Sequence, residues 1–233
     1  MTADAVPLNE AQPLDRRQRR RQETIEEVLD IAVEIMTEQG VAGLSIGEVA
    51  RRMGIRPPSL YVYFPSKEAI YDAVFLRGAR AVLGHMRNHR ANLQLEGLSL
   101  AQILLDAGRA MTSWSVENPA YTQMLFWRPV PGYVPSEEAY APAIELVELS
   151  ADFFRTIKQH GLIRADVDID DVLRDWTVLT AGVVSQQLSN APGRSFDEGP
   201  FTTRLPTLVA MFCDHYGASS STATKGARNA RKR

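Results

Sequence analysis

The chain has 233 residues, 45% of them hydrophobic and 23% charged, with a single cysteine, Cys213, and a formal net charge of −2. That length buries a sizeable core without disulfide staples, and a lone cysteine supplies neither an internal disulfide nor a multi-cysteine zinc site. The small net charge hides an asymmetry: residues 1–90 carry +1, residues 91–217 carry −8 and residues 218–233 carry +5. A bound polyanion would therefore meet the N-terminal part rather than the acidic middle.

Residues 1–15 lack periodicity and are expected to form a disordered tail. Arg16, Arg17, Arg19, Arg20 and Arg21 make a basic run leading into a helix in which Ile25, Val28, Leu29, Ala32, Ile35 and Met36 recur on one face. Gly40 ends that helix. Ser45 and Glu48 have the spacing of a capping box, so a second helix starts there and runs to Met53, with Gly54 as its left-handed stop. Pro57 and Pro58 suit the first turn of a third helix, where a missing N–H costs nothing, and this helix is predicted to reach about Phe64. Pro65 and Ser66 break the chain before a long fourth helix from Lys67 to about His89. Further helices are predicted over 99–117, shortly after Pro119, and over 136–160, 168–189 and about 205–216.

The helix over 168–189 is the clearest, with Ile169, Val172, Leu173, Trp176, Thr180, Val183 and Val184 on its apolar face and Asp168 and Asp171 at its positive end. No alternating, strand-like run and no internal repeat is visible. The fold class expected is all-α, with about nine helices. Residues 1–15 lack the apolar run of a signal peptide. The charge-free stretch 176–193 contains Gln186, Gln187, Ser189, Asn190 and Pro192, which suit hydrocarbon poorly. A cytoplasmic protein with no membrane partner is the expectation.

Two short helices joined at Gly54 have the size of a helix-turn-helix, whose second helix can enter a major groove about 12 Å wide. On it Ser59, Tyr61, Tyr63 and Lys67 offer hydroxyl and ammonium donors suited to phosphate oxygens. Arg56 can give two hydrogen bonds to a guanine edge. The plainer reading makes Tyr61 and Phe64 core aromatics and leaves the charges to solvate a surface.

This stretch closely resembles the N-terminal domain of the TetR/AcrR family of bacterial transcriptional regulators. Ser45 opens the second helix, Val49-Ala50 packs it, and Gly54-Ile55 forms the turn. Leu60-Tyr61-Val62-Tyr63-Phe64 ends the recognition helix, and Lys67-Glu68 starts the fourth. Arg56 stands where the family usually has serine or another small polar residue. The resemblance implies a three-helix DNA-binding domain over 16–66 and a helical ligand-binding and dimerisation domain over 67–217, while the composition of 218–233 reads as a disordered basic tail. Its partners would be a double-stranded DNA operator, a small-molecule effector and a second copy of the chain. The candidate DNA-binding set is the basic run Arg16, Arg17, Arg19, Arg20 and Arg21, read as an arm like other basic N-terminal arms, together with Ser45, Arg56, Pro57, Ser59, Tyr61, Tyr63 and Lys67.

Farther along, the residues around Phe126-Trp127 and Trp176 resemble a C-terminal subtype named for a Trp…His-Gly pattern, with Ala181 in place of the histidine. Met111, Trp114, Tyr121, Met124, Trp127, Phe154 and Trp176 are the candidate ligand-binding residues, and ordinary core packing is the alternative for each. Few basic residues are visible there to neutralise an anion, so an apolar or amphipathic effector is expected. Leu179, Val183, Leu208 and Phe212 are the candidate dimer residues. His85 and His89 lie four apart, but no third ligand is evident, and no metal or cofactor is expected. Cys213 reads as a small buried residue rather than a redox sensor.

The functional expectation is a repressor released from its operator by a ligand. A constitutive DNA-binding protein would need no pocket. An enzyme would need a motif such as G-x-x-x-x-G-K-S/T, G-x-S-x-G or H-E-x-x-H, and none is present.

Overall fold

A computed structural model describes residues 15–218. The expected tails lie outside the described residues, apart from Asp15 and Ala218, and both of these are held in place. Ala218 N–H donates to the Leu162 carbonyl at 3.0 Å. Asp15 caps the first helix, accepting from the N–H groups of Arg17 (2.7 Å) and Gln18 (2.8 Å), while Gln18 Oε1 accepts from Asp15 N–H at 3.0 Å. The arginine run is thereby the opening of a capped helix and not a flexible arm, because its orphan N–H groups are satisfied from Asp15 onward.

Among the described residues the fold is all-α, with nine α-helices, two short 3-10 turns and one isolated bridge between Ile163 and Gly217. Among them, no helix is long and apolar enough to cross a membrane. The chain divides into two compact units, one ending at Ile70 and the other beginning at Tyr71.

The first unit holds α1 (Arg16–Gln39), α2 (Ile46–Arg52), α3 (Pro57–Leu60) and the first turn of α4 (Lys67–Asn92). Its interior is built from Val28, Leu29, Ala32, Ile35 and Met36 of α1, Val49 and Ala50 of α2, and Leu60 and Phe64. Burying a large aliphatic or aromatic side chain of this kind contributes about 1.5–3 kcal/mol.

Gly54 sits at φ +69°, and only glycine takes that conformation without strain. There Gly54 N–H bonds the Arg51 carbonyl (3.2 Å) and Ile55 N–H the Ala50 carbonyl (3.0 Å), which closes α2 in a Schellman pattern. The capping box expected at Ser45 forms only in half. Ser45 Oγ accepts from Glu48 N–H at 3.1 Å, but the Glu48 carboxylate turns to Arg51 (2.7 Å) and Arg52 (3.0 Å). These two guanidinium groups, Arg51 first, hold the Glu48 carboxyl at about 2. Arg52 also reaches Glu38 and so ties α2 to α1. The third helix is shorter than expected: it ends at Leu60, and Tyr63 and Phe64 N–H both return to the Leu60 carbonyl (2.9 Å each) in a turn. Pro65 explains this, since the residue before a proline is disfavoured in the α region.

The second unit holds the rest of α4, α5 (Leu100–Glu117), α6 (Pro119–Phe126), α7 (Glu137–Gln159), α8 (Ile169–Asn190) and α9 (Leu205–Tyr216). Ser99 with Gln102, Ser136 and Asp168 cap α5, α7 and α8. Helices α5, α7, α8 and α9 enclose an aromatic core around Phe154, which is fully buried. Trp176 meets Phe154 edge-on at 6.0 Å and Phe212 at 5.3 Å, and Phe212 packs on Tyr216 at 4.7 Å. Gly108 of α5 admits the Trp176 indole, because a Cβ there would lie 3.1 Å from its ring.

Candidate nucleic-acid interface and apolar cavity

In the first unit the arginines at the start of α1 are all exposed. Arg16, Arg17, Arg20 and Arg21 line one surface groove with Thr24, Val62 and Tyr63, and the Arg21 guanidinium lies 5.8 Å from the Tyr63 ring centroid. The basic face of α1 and the turn after α3 are therefore continuous. Arg56, Pro57 and Ser59 are exposed, Tyr61 is 52% exposed, and Lys67 is half-buried.

The two aromatics left open by the sequence separate here: Phe64 joins the core, while Tyr61 stands on the surface. Ser45 spends an oxygen lone pair on its cap and keeps its O–H available to donate. Val62, 72% exposed, stands on the same surface and is not among the expected residues. An apolar side chain beside donors can read a thymine methyl. Together this surface offers guanidinium and hydroxyl donors for phosphates and a short element whose exposed side chains could reach base edges.

In the second unit a cavity of about 170 Å³ opens among α4, α5, α7 and α8, with Met111, Phe126, Phe154, Trp176 and Thr180 in its wall. A neighbouring cavity of about 200 Å³ shares Met111, Phe126, Thr177 and Thr180 with it and adds Trp127. Of the seven expected ligand residues, Met111, Trp127, Phe154 and Trp176 line these cavities. Trp114, Tyr121 and Met124 do not, because they are committed to packing. Trp114 stacks on Tyr121 at 6.5 Å within a cluster that includes Val82, Leu83 and Leu146. The Tyr121 hydroxyl accepts from Arg77 Nε at 2.7 Å, and Met124 is 2% exposed.

The basic groups in the wall of the first cavity are few, as expected: His89 and Arg90 of α4. His89 pairs with Asp106 at 2.9 Å, and His85 Nε2 lies 3.1 Å from the Ala110 carbonyl. The two imidazoles thus face separate partners. The loop before α7 is fastened to α4, with Asp72 accepting from the Tyr133 hydroxyl (2.8 Å) and Ser136 N–H (3.2 Å). Burial and then the Asp72 carboxylate push the Tyr133 hydroxyl well above its ordinary value. Burial, with Asp214 beside it, pushes the Cys213 thiol to about 11, so it holds little of the reactive thiolate.

The expected dimer residues are placed differently from one another. Val183 and Phe212 are 4% and 6% exposed and belong to the core of the protomer itself, whereas Leu179 and Leu208 are partly buried against that core. The apolar residues that α8 and α9 leave outside are Val178 (72%) and Met211 (62%).

Residues 28–74 match the family of bacterial regulatory proteins described as the tetR family. The chain is 30% identical over 94 residues to the HTH-type transcriptional regulator YobS of Bacillus subtilis, a match covering 40% of this chain and 47% of YobS. It is 24% identical over 152 residues to the HTH-type transcriptional regulator Mb1846 of Mycobacterium bovis, covering 65% of this chain and 62% of that protein. The chain thus spans roughly half to three-fifths of these relatives' lengths. In fold it resembles the transcriptional regulator FadR from Bacillus subtilis, whose crystal structure is a complex with stearoyl-CoA. The TM-score is 0.61 at 14% identity, over 81% of this chain and 97% of that one. The matched segment runs from the buried face of α1 through the helix-turn-helix into α4, and over it the chain carries a TetR-family N-terminal helix-turn-helix domain.

Proposed function

We propose that the chain is a homodimeric transcriptional repressor, released from a near-palindromic operator by a small, largely apolar molecule bound in its second unit. The observation that carries this reading is an apolar cavity in the same chain as a helix-turn-helix domain. A constitutive DNA-binding protein would have no use for such a cavity, and the homologous proteins named above are transcriptional regulators rather than enzymes. In this reading the α1 arginines, Ser45, Tyr61, Tyr63 and Lys67 hold phosphates, and Arg56 with Val62 reads bases. The Trp…His-Gly subtype belongs to the same proposal and rests on Trp176 in the cavity wall and on Gly182 farther along α8, with Ala181 departing from the pattern's histidine.

A ligand releases DNA only to the extent that it binds the DNA-free form more tightly. A coupling of about 10- to 100-fold corresponds to about 1.4–2.7 kcal/mol, and reciprocity requires DNA to weaken ligand binding by the same factor. The test is titration of a screened or co-purifying ligand against the free protein and against its complex with a duplex selected from a random pool. Equal ligand affinity in both titrations would falsify the release mechanism and leave constitutive binding.

The second copy is proposed to dock on the outer face of α8 and α9, where Val178, Gly182, Ala210 and Met211 are exposed. Glutamate at both Val178 and Met211 is expected to give monomers in sedimentation velocity with helicity unchanged. A dimer mass that survives both changes places the interface elsewhere.

A further inference from the structure

We infer that the molecule taken up by the α4–α5–α7–α8 cavity is an amphipath with one carboxylate head, the head on Arg90 and the apolar body against Phe154 and Trp176. This rests on the cavity being the effector site proposed above. Among the described residues its wall contains no aspartate or glutamate, and Arg90 is its single permanent cation. The guanidinium has five donors in a fixed fork. Arg90 Nη2 donates to the neutral Thr156 hydroxyl at 2.7 Å, and the group lies 5.1 Å from the Phe153 ring centroid. Neither of these partners carries a charge.

The acids near this end of the cavity have other partners. Asp152 bonds Arg155, and Asp106 takes His89 at 2.9 Å. Among the more exposed arginines of the same unit, Arg87 pairs with Glu145, Arg109 with Asp197 and Arg174 with Asp171.

A half-buried cation carries a desolvation cost, and burial pushes the Arg90 pKa below its ordinary value although the Asp152 carboxylate offsets part of it. A carboxylate matches the guanidinium fork with two parallel charge-assisted bonds and supplies the missing charge. One permanent cation in a wall that is otherwise apolar apart from His89, Ser150, Thr177 and Thr180 suits one negative charge, and a polyanionic head group would find no second guanidinium or ammonium there. The second chamber, which shares Met111, Phe126, Thr177 and Thr180 with the first, lies next to the apolar body.

The experiment is isothermal titration of the full chain with decanoate and with decan-1-ol, which share a tail and differ in charge, for wild type, Arg90→Gln and Arg90→Lys. Wild type is expected to prefer decanoate by about 10- to 100-fold, the range for a hydrogen bond to a charged group. Arg90→Gln should erase that preference by weakening decanoate alone, and Arg90→Lys should keep part of it. The comparison within wild type needs no variant to fold. Equal affinities in wild type, no binding of either probe, or a preference that survives Arg90→Gln overturns the inference. A parallel readout of operator release separates the two readings. Release by both probes alike keeps the repressor and removes the carboxylate, whereas Arg90-dependent binding of decanoate without release does the reverse.

Discussion

Alanine at Arg16, Arg17, Arg20 and Arg21 together is expected to weaken binding to every duplex by about 10²–10³-fold near 100 mM salt and to flatten its salt dependence. Each phosphate neutralised by a cation releases condensed counterions. The slope of log K against log salt falls by about 0.9 for each phosphate left without its cation, and by about 3.6 if all four residues touch the backbone. The substitution separates charge from structure. Alanine is the best helix former, and Asp15 with Gln18 still caps α1, so the helix that carries the buried face of Val28, Leu29 and Ala32 is preserved. Selected and random duplexes should lose affinity alike, since phosphate contacts carry no sequence information. Anisotropy titrations from 50 to 200 mM salt, on the order used for such slopes, give both quantities. An unchanged slope would move the electrostatic footprint off α1.

Local chemistry is what made most of the fold legible. Apolar spacing of three and four marks the buried face of α1 and of α8. Glycine stops and hydroxyl caps mark helix ends at Gly54, Ser99 and Ser136, because each of these signals acts over a single turn. The capping of α1 was legible too: Asp15 precedes Gln18 by the box spacing, a signal overshadowed by five conspicuous arginines. What one turn cannot reveal is which of two local partners wins. Glu48 could have completed its box and instead pairs with Arg51 and Arg52, and α3 yields to Pro65.

The cavity was legible in residue type but not in membership. Trp114, Tyr121 and Met124 look as suitable as Phe154 in sequence, and only tertiary packing shows that Trp114 and Tyr121 join a cluster with Val82, Leu83 and Leu146 while Met124 is buried. Arg90 was hidden for the complementary reason. In sequence it is one more charge beside Arg87 on a helix, and its burial is set by Phe153 and Thr156, more than 60 residues away along the chain. The same logic makes Val183 and Phe212 dimer candidates, and tertiary packing buries both. Periodicity finds the side of a helix that is buried, which for α8 and α9 is the protomer's own core. The less apolar outer side, where Val178 and Met211 are exposed, is the side proposed above for a second copy.

Phe154→Ala and Phe212→Ala are each expected to destabilise the protein by about 3–5 kcal/mol, yet to differ in what they do to the cavity. Both rings are in one aromatic cluster with Trp176, and Phe154 is fully buried while Phe212 is 6% exposed. Removing either leaves a void that helices α5, α7, α8 and α9 can close only in part, and for a protein of this size the melting temperature should fall by about 6–20 °C. The difference lies in position. Phe154 is part of the cavity wall, whereas Phe212 stands behind Trp176 and Phe154 and does not line it.

Ligand that binds only the folded protein raises stability by about 2.7 kcal/mol at a hundred times its dissociation constant. A saturating ligand should therefore lift the melting temperature of wild type and of Phe212→Ala by similar amounts. In Phe154→Ala one apolar face of the site is missing, and the lift should shrink. Thermal denaturation with and without ligand measures all of these. If the two variants respond to ligand alike, the binding site is not the cavity against Phe154, whatever their loss of stability.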